Sequence, residues 1–170
     1  MIGPDEFRRI LGHFPSGVTV ITTVDAAGEP SGMTASSFTS VSLNPPLILV
    51  CVAHSAQSYP ALRDSGRFAV NILSLDQEMI SRRFATAPTA RGAEKFEGLA
   101  CKPGQLGLPL LEDAHAHIEC TTLHSYPAGD HTILVGRVEA AFSREEAEGP
   151  GPLLYYRGKY RRLHHPPETP

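Results

Sequence analysis

Small hydroxyl side chains are concentrated in one stretch of the chain, residues 32–40. This stretch includes Thr34, Ala35, Ser36, Ser37 and Ser40. A strand inside a core rarely carries so many hydroxyls, because each one buried without a hydrogen-bond partner costs roughly 1–3 kcal/mol. The stretch therefore predicts a surface whose N–H groups and hydroxyls contact a flat polar ring or a polyol chain. A solvent-facing strand rich in threonine and serine would show the same pattern, and the pattern alone leaves both interpretations open.

A second group of hydroxyls lies in residues 54–60, between a predicted buried strand and a short predicted helix. Ser55 and Ser58 combine there with the free N–H groups of a helix start, and this combination binds anions locally. A phosphate group fits this chemistry even though the formal net charge of the chain is −3. Plain capping of the helix by a serine is the competing interpretation.

Lys95 and Phe96 are adjacent in a long predicted loop, with Arg91 four residues before Lys95. A cation beside an aromatic ring can close over a phosphate or over a flat ligand. A charged residue on a loop is more often an ordinary surface group, and that alternative stays open for Lys95.

One histidine lies where a strand is predicted to begin. The pair Gly129-Asp130 predicts a tight turn that places His131 at the first position of the strand. A histidine at a strand mouth can protonate, donate to or orient a bound group near neutral pH. His131 is therefore the candidate catalytic residue. An exposed turn histidine with no role would look the same in the sequence.

Residues 153–162 mix three tyrosines with four arginine or lysine residues. Tyr160 is the candidate there to cover a heterocyclic ligand. Aromatic and basic residues also occur together in RNA-binding proteins. Because the stretch is short and the chain is acidic overall, we expect no nucleic-acid partner and no attachment to an anionic membrane.

His115, His117 and Glu119 alternate along one predicted strand, so they share one of its faces. Two histidines and a carboxylate can bind iron, manganese or zinc. A cupin-like site would need a second strand that carries histidine. The competing interpretation is a polar outer face, with Ile118 and Cys120 pointing into the core. We expect no metal site.

The composition is that of a globular protein, with 170 residues, 41% of them apolar and 19% charged. We expect a single domain over residues 1–163 and a disordered tail over residues 164–170. The three cysteines have no paired spacing, which indicates buried free thiols in a reducing cytoplasm. The N-terminus lacks the apolar region of a signal peptide. The longest apolar run, residues 47–53, is too short to span a membrane.

The distribution of glycine and proline, 15 of each, predicts many tight turns and hence many short strands. Strands are predicted over residues 17–24, 32–41, 47–52, 67–73, 114–123, 131–142 and 153–156. Short helices are predicted over residues 60–64, ended by Gly66, and 77–84, capped by Asp76. Phe7, Ile10, Leu11 and Phe14 follow a helical period, which predicts an N-terminal amphipathic helix with one buried face.

Strands outnumber helices in this pattern, and most connections read as hairpins. Regular alternation of strands and helices is missing, and no GxGxxG motif opens a helix. The pattern therefore favours an antiparallel β-barrel with a few covering helices over a Rossmann fold.

The order of these segments resembles the flavin reductase-like proteins over residues 7–163. The matching pieces are residues 14–23, residues 32–46, residues 68–73, Gly129-Asp130-His131 and Gly136-Arg137-Val138. No single piece is decisive, but their order and spacing together are specific. The resemblance implies a mainly β fold, an antiparallel Greek-key split β-barrel with short covering helices, and a homodimer with one flavin per subunit near the interface.

The resemblance also implies roles for the residues singled out above. Thr34, Ala35, Ser36 and Ser37 would line the ribityl chain and the isoalloxazine ring, with Ser40 nearby. Ser55 and Ser58 would approach the phosphate with Lys95, and Phe96 would be close by. His131 would lie beside the flavin, where nicotinamide must stack.

The implied activity is reduction of FMN or FAD by NADH or NADPH, supplying reduced flavin to a partner monooxygenase. A flavoprotein of the same fold that keeps FMN and acts on an organic substrate is the main alternative. A non-catalytic flavin-binding module and a metal-dependent cupin-like enzyme are the others.

Overall fold

The computed structural model describes residues 2–85, 92–144 and 150–163. Its helices are α1 Pro4–Leu11, α2 Tyr59–Asp64 and α3 Glu78–Ala85, with 3-10 turns at Leu75–Gln77 and Gly92–Phe96. Its strands are β1 Ser16–Gly17, β2 Thr19–Val24, β3 Pro30–Ala35, β4 Phe38–Leu43, β5 Pro46–Ala53, β6 Arg67–Ile72, β7 Cys101–Pro103, β8 Pro109–Leu111, β9 Ala116–Ala128, β10 His131–Ser143, β11 Leu154–Tyr156 and β12 Lys159–Arg161.

Seven strands form one antiparallel sheet in the order β3-β2-β6-β9-β10-β5-β4. The edge strands β3 and β4 follow each other in sequence, and only Ser36 and Ser37 connect them. The sheet must therefore curl until its two edges meet, because two residues cannot cross the width of a flat seven-stranded sheet. The prediction of an antiparallel split β-barrel is confirmed, and the split lies beside the β3–β4 connection.

The barrel interior is apolar because β-branched residues on several strands point inward together. Ile21, Val50, Phe68, Val70 and Leu134 are at most 1% exposed and belong to one cluster. Burial of each such side chain contributes roughly 1.5–3 kcal/mol. A ladder irregularity between Val135 and Gly136 occurs where this cluster is tightest, and a Cβ on Gly136 would lie 2.6 Å from Phe68 Cζ.

A second layer covers the outer face of the sheet. α3 packs there through Phe84 in a cluster with Val18, Val20 and Leu153. The segment around β8 covers the rest of this face, where Leu108 and Leu110 are buried. These covering elements complete the walls of the candidate site described below.

The polar face predicted for His115, His117 and Glu119 is not exposed to solvent. Glu119 is fully buried, and its carboxylate oxygens accept hydrogen bonds from the N–H groups of Gln105 and Leu106 at 2.7 and 2.8 Å. His117 is buried with Nε2 2.6 Å from Leu111 O. The face is an outer face of the sheet, as predicted, but it is not exposed to solvent because the segment around β8 lies over it. Ile118 and Cys120 pack in or against the core cluster, as expected.

Several predicted elements differ in their bounds. The strand predicted over residues 17–24 is split between β1 and β2, and the one predicted over residues 114–123 extends to Ala128 as β9. The strand predicted over residues 32–41 is two strands, since the chain passes from one edge of the sheet to the other at Ser36 and Ser37. The helix cap is Ser74 rather than Asp76, and Gln77 completes a capping box with it. The last predicted strand is the first half of a hairpin, β11–β12.

The helix α1 forms as predicted, but its apolar face is not covered within the chain. Phe7, Ile10, Leu11 and Phe14 are 48–80% exposed, and no residue of α1 is buried. The prediction of a buried face is therefore wrong for the single chain. α1 and α3, each eight residues long, are the longest helices in the described ranges, where no helix could cross a bilayer.

The cysteines within the described ranges are free thiols. Cys120 is buried, and burial raises its pKa to about 12. Cys51 and Cys101 are half-buried rather than buried as expected. Cys51 lies on the less buried face of β5, and Cys101 packs at the margin of the cluster under α3.

Candidate functional site

A cleft of about 240 Å³ opens between β3, the turn after β5 and the end of α3. It is named here the serine–lysine cleft. Its lining residues are Met33, Thr34, Ala53, Ser55, Ala56, Gln57, Ser58, Phe84, Ala85 and Lys95. The fold therefore brings together three of the sequence segments singled out above, although they are far apart in the chain.

Ser58 contributes a buried hydroxyl without a hydrogen-bond partner to this cleft. The residue is 2% exposed, and its Oγ has no partner among the described residues. It occupies the cap position of α2 but makes no side-chain capping hydrogen bond. The interpretation of Ser58 as a plain helix cap is therefore wrong. An unpartnered buried hydroxyl costs roughly 1–3 kcal/mol, which an acceptor or donor entering the cleft would recover.

Lys95 contributes a buried cation to the same cleft. Its side chain is 5% exposed, and its Nζ donates to the carbonyl of Phe84 at 3.3 Å. Burial lowers the pKa of this ammonium group, because the charged form is desolvated. The interpretation of Lys95 as an ordinary surface charge is wrong. An ammonium group has three N–H donors, so Lys95 retains capacity for an anion.

Phe96 lies behind the cleft rather than in it. Its ring meets that of Phe84 edge-on at a centroid distance of 5.0 Å, within the cluster under α3. Phe84 lines the cleft and also supplies the carbonyl that holds Lys95. Phe96 therefore supports the wall on which Lys95 depends. Arg91 lies outside the described residues.

Thr34 connects the cleft to α3. Its hydroxyl donates to the carbonyl of Ser81 at 2.6 Å, and the hydroxyl of Ser81 lies 2.8 Å from Tyr160 Oη. The guanidinium carbon of Arg82 lies over the ring of Tyr160, 4.8 Å from the centroid of that ring. Tyr160 is thus linked to Thr34 through Ser81, and does not itself line the serine–lysine cleft.

A second cleft of about 450 Å³ lies past the end of β3. It is named here the aromatic cleft. Its lining residues are Phe14, Pro15, Ser16, Gly17, Thr19, Ser36, Phe38, Thr39 and Ile72. Ala35 is buried, and in the chain it lies between Thr34 of the first cleft and Ser36 of the second. Its carbonyl accepts a hydrogen bond from Thr19 Oγ1 at 2.7 Å. The hydroxyl-rich stretch therefore runs from one cleft to the other.

Ser37 and Ser40 lie on the edge of the sheet. The hydroxyl of Ser37 donates to Cys51 O at 3.0 Å and accepts from Cys51 N at 3.2 Å, which fixes the start of β4 on β5. Ser40 is exposed and pairs with Ile48, next to a register shift in the β4–β5 ladder. The interpretation of a solvent-facing strand therefore describes Ser40 well, whereas Thr34 faces a cleft.

His131 begins β10 after a turn in which Gly129 has a φ of +64°, as predicted. It pairs with Ala53, which lines the serine–lysine cleft. Its Nδ1 lies 2.7 Å from Asp130 Oδ1, and this hydrogen bond lowers the pKa of the aspartate. The carboxylate accepts, so Nδ1 carries a proton and Nε2 is the ring atom left for a ligand.

Thr132 and Phe84 are among the contributors to the site that were not identified from the sequence. Thr132, which follows His131, lies 3.0 Å from both His54 Nε2 and Tyr59 Oη. His54 and Tyr59 adjoin the serine turn, but no periodicity indicates that a threonine of β10 contacts them. Phe84 had only a helical pattern as a signal, which does not distinguish a residue that lines a cleft from one in the core.

Other features of the structure do not form a comparable site. A cleft of about 520 Å³ at the Val24 end of β2 is lined by Asp25, Asp64 and Arg67 among others. It has no unpartnered buried polar side chain, as judged on the described part of the chain. In residues 2–85, 92–144 and 150–163, no three His, Cys, Asp or Glu side chains form a metal-binding group.

The hydroxyl-rich stretch has a buried cation and an unpartnered buried hydroxyl at one end and an open aromatic cleft at the other. This arrangement fits a phosphorylated aromatic ligand that lies along the stretch. A split barrel with such a site is the arrangement expected of a flavin-binding oxidoreductase. Residues 11–164 match the family described as the flavin reductase like domain. The chain belongs to the flavin reductase-like family.

Relatives of known name are similar over almost the whole chain. The reductase subunit HsaB of a flavin-dependent monooxygenase from Mycobacterium tuberculosis is 40% identical over 99% of this chain and 87% of its own length. An NADH-dependent flavin reductase from a Rhodococcus species is 42% identical over 95% of this chain and 88% of its own. The solved structure of an NADH:FAD oxidoreductase from Streptomyces globisporus has a TM-score of 0.87 and 40% identity, covering 98% of each chain.

Proposed function

We propose that this chain reduces FMN or FAD with NADH or NADPH and releases the reduced flavin to a partner monooxygenase. The observation that carries the proposal is the serine–lysine cleft, where Ser58 and Lys95 are buried with unused hydrogen-bonding capacity. The flavin reductase like domain and the named flavin reductases among its relatives support the same activity.

The serine–lysine cleft is the proposed phosphate site. Lys95 would donate a charge-assisted hydrogen bond, and Ser55 and Ser58 would add hydroxyl donors from the turn before α2. A dianionic phosphate would offset the cost of burying the ammonium group of Lys95, and would give the hydroxyl of Ser58 an acceptor. The cleft thus matches the phosphate in both charge and hydrogen bonding.

The ribityl chain and the ring are proposed to follow the hydroxyl-rich stretch from the phosphate site to the aromatic cleft. Thr34 lines the serine–lysine cleft, Ser36 lines the aromatic cleft, and the buried Ala35 connects them in the chain. Ser37 fixes the adjoining start of β4 on β5, and Ser40 follows on β4. Phe96 and Tyr160 would act indirectly, by supporting Phe84 and Ser81.

When bound, the flavin supplies the acceptor for the hydride of NADH or NADPH. The protein orients the two rings and excludes water from between them. His131 lines neither cleft, but it pairs with Ala53, which lines the serine–lysine cleft. Held by Asp130 through Nδ1, it would use Nε2 to orient the nicotinamide or to deliver a proton. We assign His131 as the catalytic residue on this basis.

The partners proposed are a second copy of the chain and a monooxygenase. The uncovered apolar face of α1 supports a homodimer, because a large exposed apolar patch commonly marks a surface where another protein chain binds. A monooxygenase partner is supported by the relative named as the reductase subunit of such an enzyme.

The test is NADH oxidation by purified protein, measured with and without added FMN after an absorbance spectrum has been recorded. A diffusible supplier oxidises NADH with a rate that saturates as free FMN or FAD is added. A protein that is yellow as purified and oxidises NADH only with an organic substrate would be a flavoprotein that holds FMN. No affinity for any flavin, in a titration followed by flavin fluorescence, would overturn the proposal.

A further inference from the structure

A buried threonine joins the two parts of the site that the sequence places far apart. Thr132 is 3% exposed and follows the candidate catalytic residue His131 on β10. Its Oγ1 lies 3.0 Å from His54 Nε2 and 3.0 Å from Tyr59 Oη. A hydroxyl has one proton and two lone pairs, so it can donate to one partner while it accepts from the other.

The two partners of Thr132 bracket the serine turn. His54 directly precedes Ser55, and Tyr59 directly follows Ser58. One hydroxyl therefore holds both ends of the turn that lines the serine–lysine cleft. The N–H of His54 also donates to the carbonyl of Asp130 at 3.0 Å, so the turn is fixed to the start of β10 by backbone as well.

Within the turn, the backbone N–H groups of Ala56 and Tyr59 donate to the carbonyls of Ala53 and Ala56 at 3.0 Å, but Ser58 Oγ has no partner among the described residues. The rings of His54 and Tyr59 contact each other at a centroid distance of 4.9 Å, so the two residues that flank the turn also pack against each other. The direction of the Ser58 hydroxyl thus depends on the residues at the ends of the turn.

We propose that Thr132 is a positioning residue that holds the Ser55–Ser58 turn in the geometry that binds the flavin phosphate. The inference rests on the proposed function, and it adds a residue that does not line the cleft. Loss of the Thr132 hydroxyl would remove the side-chain hydrogen bonds at both ends of the turn and leave only the backbone ones, while the ring-binding residues on β3 and β4 stay in place.

The test compares two ligands that differ only in the phosphate, FMN and riboflavin, by titration of flavin fluorescence. Thr132→Val keeps the shape and removes the hydroxyl. Its affinity for FMN should fall about tenfold, the size expected when hydrogen bonds around a charged group are lost. Its affinity for riboflavin should stay within about twofold of the wild type, since riboflavin makes no contact with the turn through a phosphate.

Three further variants make the comparison specific. Thr132→Ser retains the hydroxyl and should restore FMN binding. Tyr59→Phe removes one of the two hydrogen bonds and should cause a smaller, FMN-selective loss, so the inference can be tested even if Thr132→Val fails to fold. Thr122→Val is the matched control on β9, because the hydroxyl of Thr122 is buried with no partner in the described ranges.

Three outcomes would overturn the inference. Equal loss of FMN and riboflavin binding in Thr132→Val would mean that the threonine only stabilises the barrel. Unchanged FMN binding in both Thr132→Val and Tyr59→Phe would mean that the turn holds its geometry without them. A wild-type protein that binds riboflavin as tightly as FMN would contradict the phosphate site and with it this inference, whereas the proposed reductase activity is tested separately by NADH oxidation with added flavin.

Discussion

At the residue scale, burial of the Lys95 ammonium group costs free energy of folding, and a bound anion would offset that cost. Its pKa is lowered by desolvation, so the folded protein without ligand disfavours the charged form. A bound phosphate favours that form. Stability and binding therefore place opposite demands on the same ammonium group.

This opposition gives a prediction for Lys95→Met. The variant should lose FMN affinity about tenfold or more, while the ligand-free protein should unfold at an equal or higher temperature, because no charge is left to bury. Thermal melting and fluorescence titration measure the two effects. Lys102→Met, at an exposed position on β7, is the control and should change neither.

The lowered pKa also sets a pH dependence with a definite sign. As pH rises through the folded-state pKa of Lys95, which lies below the usual range for lysine, the ammonium group is lost and FMN binding should weaken. The ligand-free protein should gain stability over the same interval, up to the ordinary pKa of lysine in the unfolded chain. Riboflavin binding should not follow this profile, and the profile should be absent in Lys95→Met.

His131 is the residue whose removal should affect turnover rather than flavin binding. His131→Ala should slow NADH oxidation by about 10²-fold, the size expected when an acid–base or orienting group is lost, while circular dichroism remains that of the folded barrel. Stopped-flow measurement at saturating FMN separates this effect from binding. Wild-type turnover in the variant would remove His131 from the mechanism, and Asp130→Asn would then be expected to have no effect either.

At the element scale, the segment that covers the outer face of the sheet depends on one carboxylate. Glu119 accepts two backbone hydrogen bonds from Gln105 and Leu106, and a Cβ on Gly104 would lie 2.4 Å from its carboxylate atoms. The glycine is thus required by the close approach of the segment to Glu119. The carboxylate therefore acts as a clamp between the sheet and the turn of the β7–β8 hairpin, in addition to that turn's own hydrogen bonds from Gly104 N–H to Leu108 O and from Gly107 N–H to Gly104 O.

Glu119→Gln should therefore destabilise the protein by about 1–3 kcal/mol, because an amide NH₂ group would face a backbone N–H donor. Urea denaturation measures the loss, and faster amide exchange at Gln105 and Leu106 would locate it. Glu29→Gln, in an exposed turn, should change the stability by less than about 0.5 kcal/mol. Equal effects of the two substitutions would contradict the clamp.

The sequence predicted the elements well where local chemistry determines them. The turns at Gly66 and Gly129-Asp130 and the strands that begin directly after them, β6 and β10, follow from glycine and β-branched residues, and the structure has them at the expected positions. The break at Ser36 and Ser37 was missed because both halves of that stretch have strand composition. It arises from the closing of the sheet, which is a tertiary effect. The burial of Glu119 was missed for the same reason, since alternation identifies a face but not what covers it.

The candidate site was predictable to the extent that its residue types are unusual in a core. The hydroxyl-rich stretch, the serine turn, Lys95 and His131 were all identified from composition and position, and the structure brings Thr34, Ser55, Ser58 and Lys95 to one cleft. Thr132 could not be identified in this way. Its role depends on contacts with His54 and Tyr59, and only the register of β10 against β5 creates those contacts.

At the scale of the whole molecule, the amphipathic helix α1 has no partner within the chain. Phe14 is 80% exposed at the end of this face and also lines the aromatic cleft, which continues to Ser36 and Phe38 at the start of β4. Leu43, at the other end of β4, is 94% exposed. A second copy of the chain that covered these surfaces would bury apolar area and would close the aromatic cleft at the same time.

The prediction is that the protein sediments as a dimer of 18.3 kDa chains, and that Ile10→Glu or Leu43→Glu shifts it to the monomer, because a carboxylate would be desolvated at the interface. Both variants should also bind FMN more weakly, since the aromatic cleft would lose the wall that the second copy provides. Met79→Glu is the control: Met79 is 74% exposed on α3, outside both surfaces, and its substitution should change neither the mass nor the affinity. A monomeric wild type with full FMN affinity would mean that one chain forms the complete site and that α1 has another partner.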